Sequence, residues 1–228
     1  MNSIDNMNET WFSNQLAWLL DPKGSHGLNS EFSNKFFTSI LGSKFTNKEF
    51  NLKNFEVCRE FYVQVDDNEK SRDKQVDRRL DVVCMDLEQK VVVVIENKFD
   101  GMNHNNQLSE YLQVENLFTE DFSFYFIYLT YASNQLNDKN INKENKELVL
   151  QKYKLATWID DIEPILDLYA ATNYEIFKLR NTLARNNIEN DFDIKKVLAI
   201  MKIIGDEENN TLINKDAGDD WRVSEKNF

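Results

Sequence analysis

Two cysteines and two histidines are all that this 228-residue sequence offers in soft metal ligands. Cys58 and Cys84 lie far apart in apolar stretches, which suits buried free thiols in a reducing compartment rather than a disulfide framework. His26 and His104 join no cysteine at zinc-binding spacing, and His26 is expected to shape the turn between the first two helices. Long apolar runs are also missing. The longest, Val91 to Ile95, is far too short to cross a bilayer. Met1 to Asn8 is polar and does not open like a secretory leader, so a cytoplasmic location and no membrane partner are expected. There is no G-x-x-x-x-G-K-[ST] phosphate loop, which excludes ATP-driven motion encoded in this chain. Gly24-Ser25-His26-Gly27 lacks the G-x-S-x-G spacing and follows a helix, so it is not a nucleophile elbow. Trp11, Trp18, Trp158 and Trp221 read as packing residues rather than base-stacking platforms.

An excess of positive charge is absent too. Lys and Arg number 27 against 39 Asp and Glu, a net charge of −12. Duplex binding usually draws on a basic surface that displaces counterions, so this balance speaks against tight non-specific DNA binding. Bound divalent cations would invert the charge of an acidic site. The cations are also clustered, with Lys70, Arg72, Lys74, Arg78 and Arg79 close in sequence.

What is present is a globular composition, 41% hydrophobic and 12% aromatic, of a length suited to one domain. Helical spacing predicts a helix from Ile4 to Leu20, stopped by Asp21-Pro22 and Gly24. A second follows Asn29 or Ser30 as cap, with Leu28, Phe32, Phe36 and Ile40 on one face, and ends at Gly42. Strands are expected at Phe55 to Val65, Val76 to Leu87, Val91 to Asn97 and Phe122 to Thr130, with a short last strand at Leu148 to Tyr153. A helix is expected at Asn103 to Phe118 and a solvated loop at Asn134 to Glu147. Helices at Ala156 to Ala170, Asn173 to Ala184 and Phe192 to Ile204 complete a single domain over residues 1–204, and an acidic tail covers 205–228. Because strands and helices do not interleave regularly, the fold class is α+β with a mixed sheet.

The chemistry is concentrated in one hairpin. With Glu88-Gln89 as its loop, Leu87 pairs with Lys90 and Asp81 falls across from Glu96. Directly opposed residues stand about 4.5 to 5.5 Å apart at Cα with side chains on one face, where like charges destabilise a sheet. A divalent cation removes that conflict, since hard cations prefer oxygen ligands. Lys98 lies two residues past Glu96 and shares its face, where an ammonium can stabilise charge forming on a phosphate. The continuous run Val91 to Ile95 is typical of a strand covered on both faces, which puts the charged residues at the margin of the core.

This pattern resembles the PD-(D/E)XK nuclease superfamily. The α-β-β-β-α-β core of that superfamily corresponds to residues 4–130. Arg79-Leu80-Asp81-Val82-Val83 is similar to its first acidic motif, with Leu80 in place of the proline. Glu96-Asn97-Lys98 matches (D/E)-x-K, and Gln107-Leu108-Ser109-Glu110-Tyr111 matches the Q-x-x-x-Y motif of RecB-type nuclease domains. Glu9, Ser13, Leu16 through Pro22 and Gly24 to Gly27 look like a largely uncharacterised bacterial branch, of which this chain would be a short form. The resemblance implies a restriction-endonuclease-like fold and metal-dependent hydrolysis of phosphodiesters, most naturally in DNA, in defence or repair. It implies Mg²⁺ or Mn²⁺ held by Asp81, Glu96, the backbone carbonyl of Asn97 and a helix-borne glutamate. Glu9 is chosen for that last role because it shares the inward face with Phe12 and Leu16; Glu31 is the alternative. Lys98 would position the attacking water, and Gln107 and Tyr111 would line the cleft near the scissile phosphate. Many enzymes with this core cut duplexes as homodimers, although no dimer surface shows in this sequence. Two other readings stay open: a nuclease fold kept as a binding or regulatory module, and a plain α+β interaction protein with a coincidental motif.

Overall fold

A computed structural model describes residues 8–42, 45, 51–66, 75–98, 107–132 and 146–190. By internal contacts the chain divides into Met1–Arg180 and Asn181–Phe228. In the second unit only residues 181–190 are described, as the end of a helix. The expected helix at Phe192 to Ile204, the tail from residue 205 and most of the expected loop at Asn134 to Glu147 lie outside the described residues.

The first unit opens with α1 (Glu9–Leu20), whose N-cap Asn8 accepts from the Trp11 amide, as short polar caps do. Its buried face is Phe12, Ser13, Leu16, Leu19 and Leu20. Helix α2 (Glu31–Leu41) ends at Gly42, which has φ 65, a conformation that glycine adopts without a Cβ penalty. The buried face of α2 is Phe32, Ser33, Phe36, Phe37 and Leu41. Leu28 and Ile40, expected on that face, are only half-buried; the stripe is turned toward Phe37, which packs on Phe45 and Phe55.

Five strands follow: β1 (Glu56–Asp66), β2 (Gln75–Asp86), β3 (Val91–Lys98), β4 (Ser123–Thr130) and β5 (Tyr153–Thr157). They form one mixed sheet in the order β1-β2-β3-β4-β5. The first two pairings are antiparallel and the last two parallel. A parallel neighbour needs a crossover. The β3–β4 crossover carries α3 (Gln107–Tyr111), continued by a 3-10 helix at Leu112–Leu117, where one regular helix was expected. The β4–β5 crossover carries α4 (Lys146–Lys152).

This corrects the expected strand at Leu148 to Tyr153. The Leu-Val-Leu triplet reads as extended, yet only Val149 is buried while Leu148 and Leu150 are exposed. One contact per turn is what a short helix on a core makes. The strand begins at Tyr153, and its residues Ala156 and Thr157 take the start of the expected helix. A π-helical turn at Trp158–Ile162 then leads into α5 (Glu163–Ala170) and α6 (Tyr174–Asn190).

The two faces of the sheet bury different sets. Val92, Val94, Phe126, Tyr128 and Tyr153 share a cluster with Leu108, Tyr111, Leu112 and Val114 of the α3 segment and Val149 of α4. Helix α1 packs against β1, β2 and β3 from the other side, reached by Asn97 through its bond to Ser13. All of β3 is buried, as its apolar run requires. In β2, exposure alternates up to Leu80 and every residue from Val82 on is buried. That change falls where pairing to β3 stops, at Val82–Ile95.

The hairpin keeps the expected register with a different turn. Leu87 to Lys90 form a four-residue turn, so Asp86–Val91 is the last pair instead of Leu87–Lys90. Buried Asp86 makes the turn: its Oδ1 accepts from the amides of Glu88 and Gln89 at 2.9 and 3.0 Å, and Lys90 takes φ 53. Both turns preserve the same pairing, which ends at Val82–Ile95, one residue short of Asp81 and Glu96. Replacing Asp86 by Ala is expected to cost about 0.5 to 1.5 kcal/mol, the net worth of a lost hydrogen bond to turn amides that solvent can reach. The shift of the urea midpoint at constant m measures it, and an unchanged midpoint would contradict this role for Asp86.

Candidate active site at the end of β3

Glu96, Asn97 and Lys98 close β3, and all three are buried, Glu96 completely. Strand alternation sends Glu96 and Lys98 one way and Asn97 the other. Beyond the last β2–β3 pair, the carboxylate of Asp81 replaces a backbone carbonyl: its Oδ2 accepts from the Asn97 amide at 2.8 Å. The pleat also changes phase here. Leu80 and Val83, three apart, join the same core cluster, as do Cys58 and Phe61 on β1. Glu60, between that second pair, has φ 54. Such irregularities re-aim side chains near sites.

Lys98 Nζ lies 2.7 Å from Glu96 Oε1 and 2.8 Å from Glu9 Oε1. The Glu9 contact is an aligned hydrogen bond. The Glu96 contact is a close ion pair through Oε1, and among the described residues Glu96 Oε2 has no hydrogen-bond partner. Glu9 therefore reaches the site from α1, with 38% of its side chain exposed. Glu31, the alternative, is exposed at the start of α2 and hydrogen-bonds Tyr169.

Three carboxylates thus surround one ammonium, and the electrostatics follow. Burial, then the neighbouring Asp81 carboxylate, pushes Glu96 up to about 8, against the pull of Lys98. Asp81 is raised by burial, with Lys98 and the Asn97 amide opposing. Burial pulls Lys98 down, but the carboxylates of Glu96 and Asp81 and the bond to Glu9 outweigh it, so it is raised and stays charged. A buried carboxyl with one unpartnered oxygen and a raised pKa fits a cation-binding position, because a cation can displace a proton. Among the described residues no group of three His, Cys, Asp or Glu side chains forms a ready cation cage; Lys98 stands in contact with both Glu9 and Glu96 instead. Solvent reaches the group from the side of Asp81 and Glu9, which are only partly buried.

Tyr111 is 1% exposed, and its hydroxyl donates to the Arg79 carbonyl at 2.9 Å. Its described contacts are thus core packing and the β2 backbone two residues before Asp81, where the sequence suggested a cleft-lining residue. Gln107 opens α3, and its side chain lies outside the described residues. Buried Glu110, between them, takes a forked ion pair from Arg78 at 2.5 and 3.0 Å, a second tie between α3 and β2. That pair was missed because a glutamate on a short helix looks solvated until its partner, 32 residues earlier, is known. The Asn97 side chain is also engaged: Nδ2 donates to Ser13 Oγ at 3.0 Å and to the Glu9 carbonyl at 3.3 Å, and Oδ1 accepts from Trp158 Nε1 at 3.0 Å. Cys58 and Cys84 are free, as expected. Among the described residues no helix is long and apolar enough to cross a membrane.

Comparison with known proteins gives the family. The family model of the PD-(D/E)XK nuclease superfamily matches residues 2–179, and the chain belongs to that superfamily. Members of that superfamily are generally nucleases that use divalent metals such as Mg²⁺. The mixed α+β fold is consistent with the restriction-endonuclease-like architecture. A solved crystal structure, of a protein of unknown function named AF1548, is 17% identical with a TM-score of 0.29. The match covers 57% of this chain and 61% of that one. No curated protein matches this chain.

The raised Glu96 carboxyl makes the metal-free protein sensitive to pH. In the unfolded chain the group titrates near 4.5 and in the folded one near 8, so between these values the folded state binds more protons. Its contribution is full below 4.5 and is lost as pH rises through 8. Denaturation midpoints in EDTA are expected to fall across that window for the wild type and to fall less for Glu96→Gln. Equal slopes for the two proteins would contradict the assignment.

Proposed function

We propose that this chain is a Mg²⁺- or Mn²⁺-dependent nuclease that hydrolyses phosphodiester bonds, with DNA as the substrate, in defence against foreign DNA or in repair. The observation that carries the reading is the fully buried Glu96, paired through Oε1 with Lys98 and with Oε2 unpartnered among the described residues, beside Asp81 at the end of a core strand. A sheet built for stability alone would not place an acid there. Family membership supports the same chemistry.

In this reading Asp81, Glu96, the Asn97 carbonyl and Glu9 hold the cation. When bound, it supplies Lewis-acid charge and makes a neighbouring water easier to deprotonate. Lys98 orients the attacking water and stabilises negative charge growing on the phosphate oxygens, where a fixed ammonium in a dry site acts without reorganising. The bond from Lys98 to Glu9 keeps the ammonium aimed before substrate arrives. Glu96, raised to about 8 without metal, would hold the cation in its ionised form, its proton being released to solvent. Gln107 and Tyr111 support the phosphate side of the site, Tyr111 through the β2 backbone preceding Asp81.

The net charge of −12 favours one competing reading, a nuclease fold retained as a binding module with weak activity. Cleavage assays separate the two. The wild type is expected to nick supercoiled plasmid with Mg²⁺ or Mn²⁺ and to stop on adding EDTA. Asp81→Asn, Glu96→Gln and Lys98→Ala are each expected to lose on the order of 100-fold or more in rate, with Glu9→Gln losing less. If the wild type cuts neither plasmid nor RNA with either metal, the binding module is the correct description.

A further inference from the structure

Asn97 stands between two proposed site residues, yet its side chain points away from both. It is 1% exposed and makes three bonds, to Ser13, to the Glu9 carbonyl and from Trp158. Its amide nitrogen meanwhile binds Asp81. One residue thus touches the β2 acid through its main chain and the α1 acid's backbone through its side chain, and it is bonded in sequence to Glu96 and Lys98. An amide can satisfy this set in one orientation only. Nδ2 must face the Ser13 oxygen and the Glu9 carbonyl, and Oδ1 must face the indole N–H, which can only donate.

The indole is what decides between the two flips of the amide. If the group were turned round, two donors would face each other at Trp158, and the amide oxygen would face the Glu9 carbonyl. Trp158 is itself held firmly. It is 1% exposed, its ring meets Phe12 of α1 edge-on at 5.0 Å, and it opens the π-helical turn after β5. That turn is pinned by Thr157, whose hydroxyl accepts from the Asp160 amide and whose amide donates to Asp161. A π-helical turn is an uncommon element that recurs at functional sites.

From this we infer that Trp158 is a positioning residue for the nuclease site: through Asn97 it holds α1 against the end of β3, so that Glu9, Asp81, Glu96 and Lys98 converge. The inference rests on the function proposed above for what it positions, but the Trp158–Asn97 coupling can be read without it. Ser13 is the other leg of the same support, since its hydroxyl contacts both the Glu9 carbonyl and Asn97 Nδ2.

Trp158→Phe keeps an aromatic ring against Phe12 and removes only the N–H donor and part of the ring volume. Ser13→Ala removes the second leg with little change in volume. Phe36→Leu, a core change in α2, serves as a stability control. Amide exchange by NMR reads the coupling: in both site variants the Asn97 amide is expected to exchange on the order of 10-fold faster relative to the Val94 amide, whereas Phe36→Leu moves both alike. Plasmid cleavage with Mn²⁺ reads the consequence: kcat falls on the order of 10- to 100-fold, the scale of a small misplacement of reacting groups, while KM for plasmid holds. The inference is overturned if Trp158→Phe matches Phe36→Leu in both the Asn97 exchange ratio and kcat. If the wild type neither cleaves plasmid nor binds Mn²⁺ by calorimetry, the proposed function fails, and the exchange ratio alone decides whether Trp158 positions Asn97.

Discussion

The ammonium of Lys98, buried between the carboxylates of Glu96 and Glu9, is the constraint around which the structure is organised. Taking a charge out of water costs several kcal/mol, and only close opposite charges offset it. Lys98 ends a strand covered on both faces and is itself buried, so water does little of this. The compensation must come from β3 itself, from α1 and, at longer range, from Asp81 on β2. These three elements have to meet at one point for the fold to be stable. Burial, and then the Asp81 carboxylate, raises Glu96 against the pull of Lys98, so that a cation would compete with a proton there.

The remaining architecture serves that meeting. The hairpin turn built on Asp86 sets the register that carries Asp81 to the end of the ladder beside Glu96 and Asn97. The α3 segment returns to β2 at two places close to the site, through Tyr111 on the Arg79 carbonyl and Glu110 on Arg78. These ties hold the end of β2 where β3 no longer pairs with it. On the opposite side, Asn97 and Trp158 close the seam between α1 and the strand end. A site assembled from strand ends and backed by buried hydrogen bonds is more rigid than one built on loops.

The overall acidity of the chain is less of an obstacle than it first looks. Net charge governs long-range attraction to a polyanion, whereas the chemistry depends on the few charges in the cleft. The local excess is negative, and the divalent cation of the proposed function would reverse it. Membership of the nuclease superfamily and the acid–lysine cluster therefore point the same way, while the global charge bears on how strongly substrate is held.

The register of the β2–β3 hairpin, which carries Asp81 to the end of the ladder beside Glu96 and Asn97, was legible in the sequence, because a β-ribbon repeats every two residues and a short turn leaves few registers. The buried run Val91 to Ile95 and the helix periodicity of Glu9 with Phe12 and Leu16 were legible for the same reason: a local period reports which face is covered. Leu148 to Tyr153 misled because a short apolar triplet has no period of its own, and packing on the sheet decided for helix. Trp158 and Glu110 could not be placed from the sequence at all. Their partners, Asn97 and Arg78, are 61 and 32 residues away, and only the crossovers of the parallel strands carry the chain back to them. Local spacing determined which acids could share a strand end; the tertiary structure alone decided what holds them there, since a buried donor finds its acceptor through space and not along the chain.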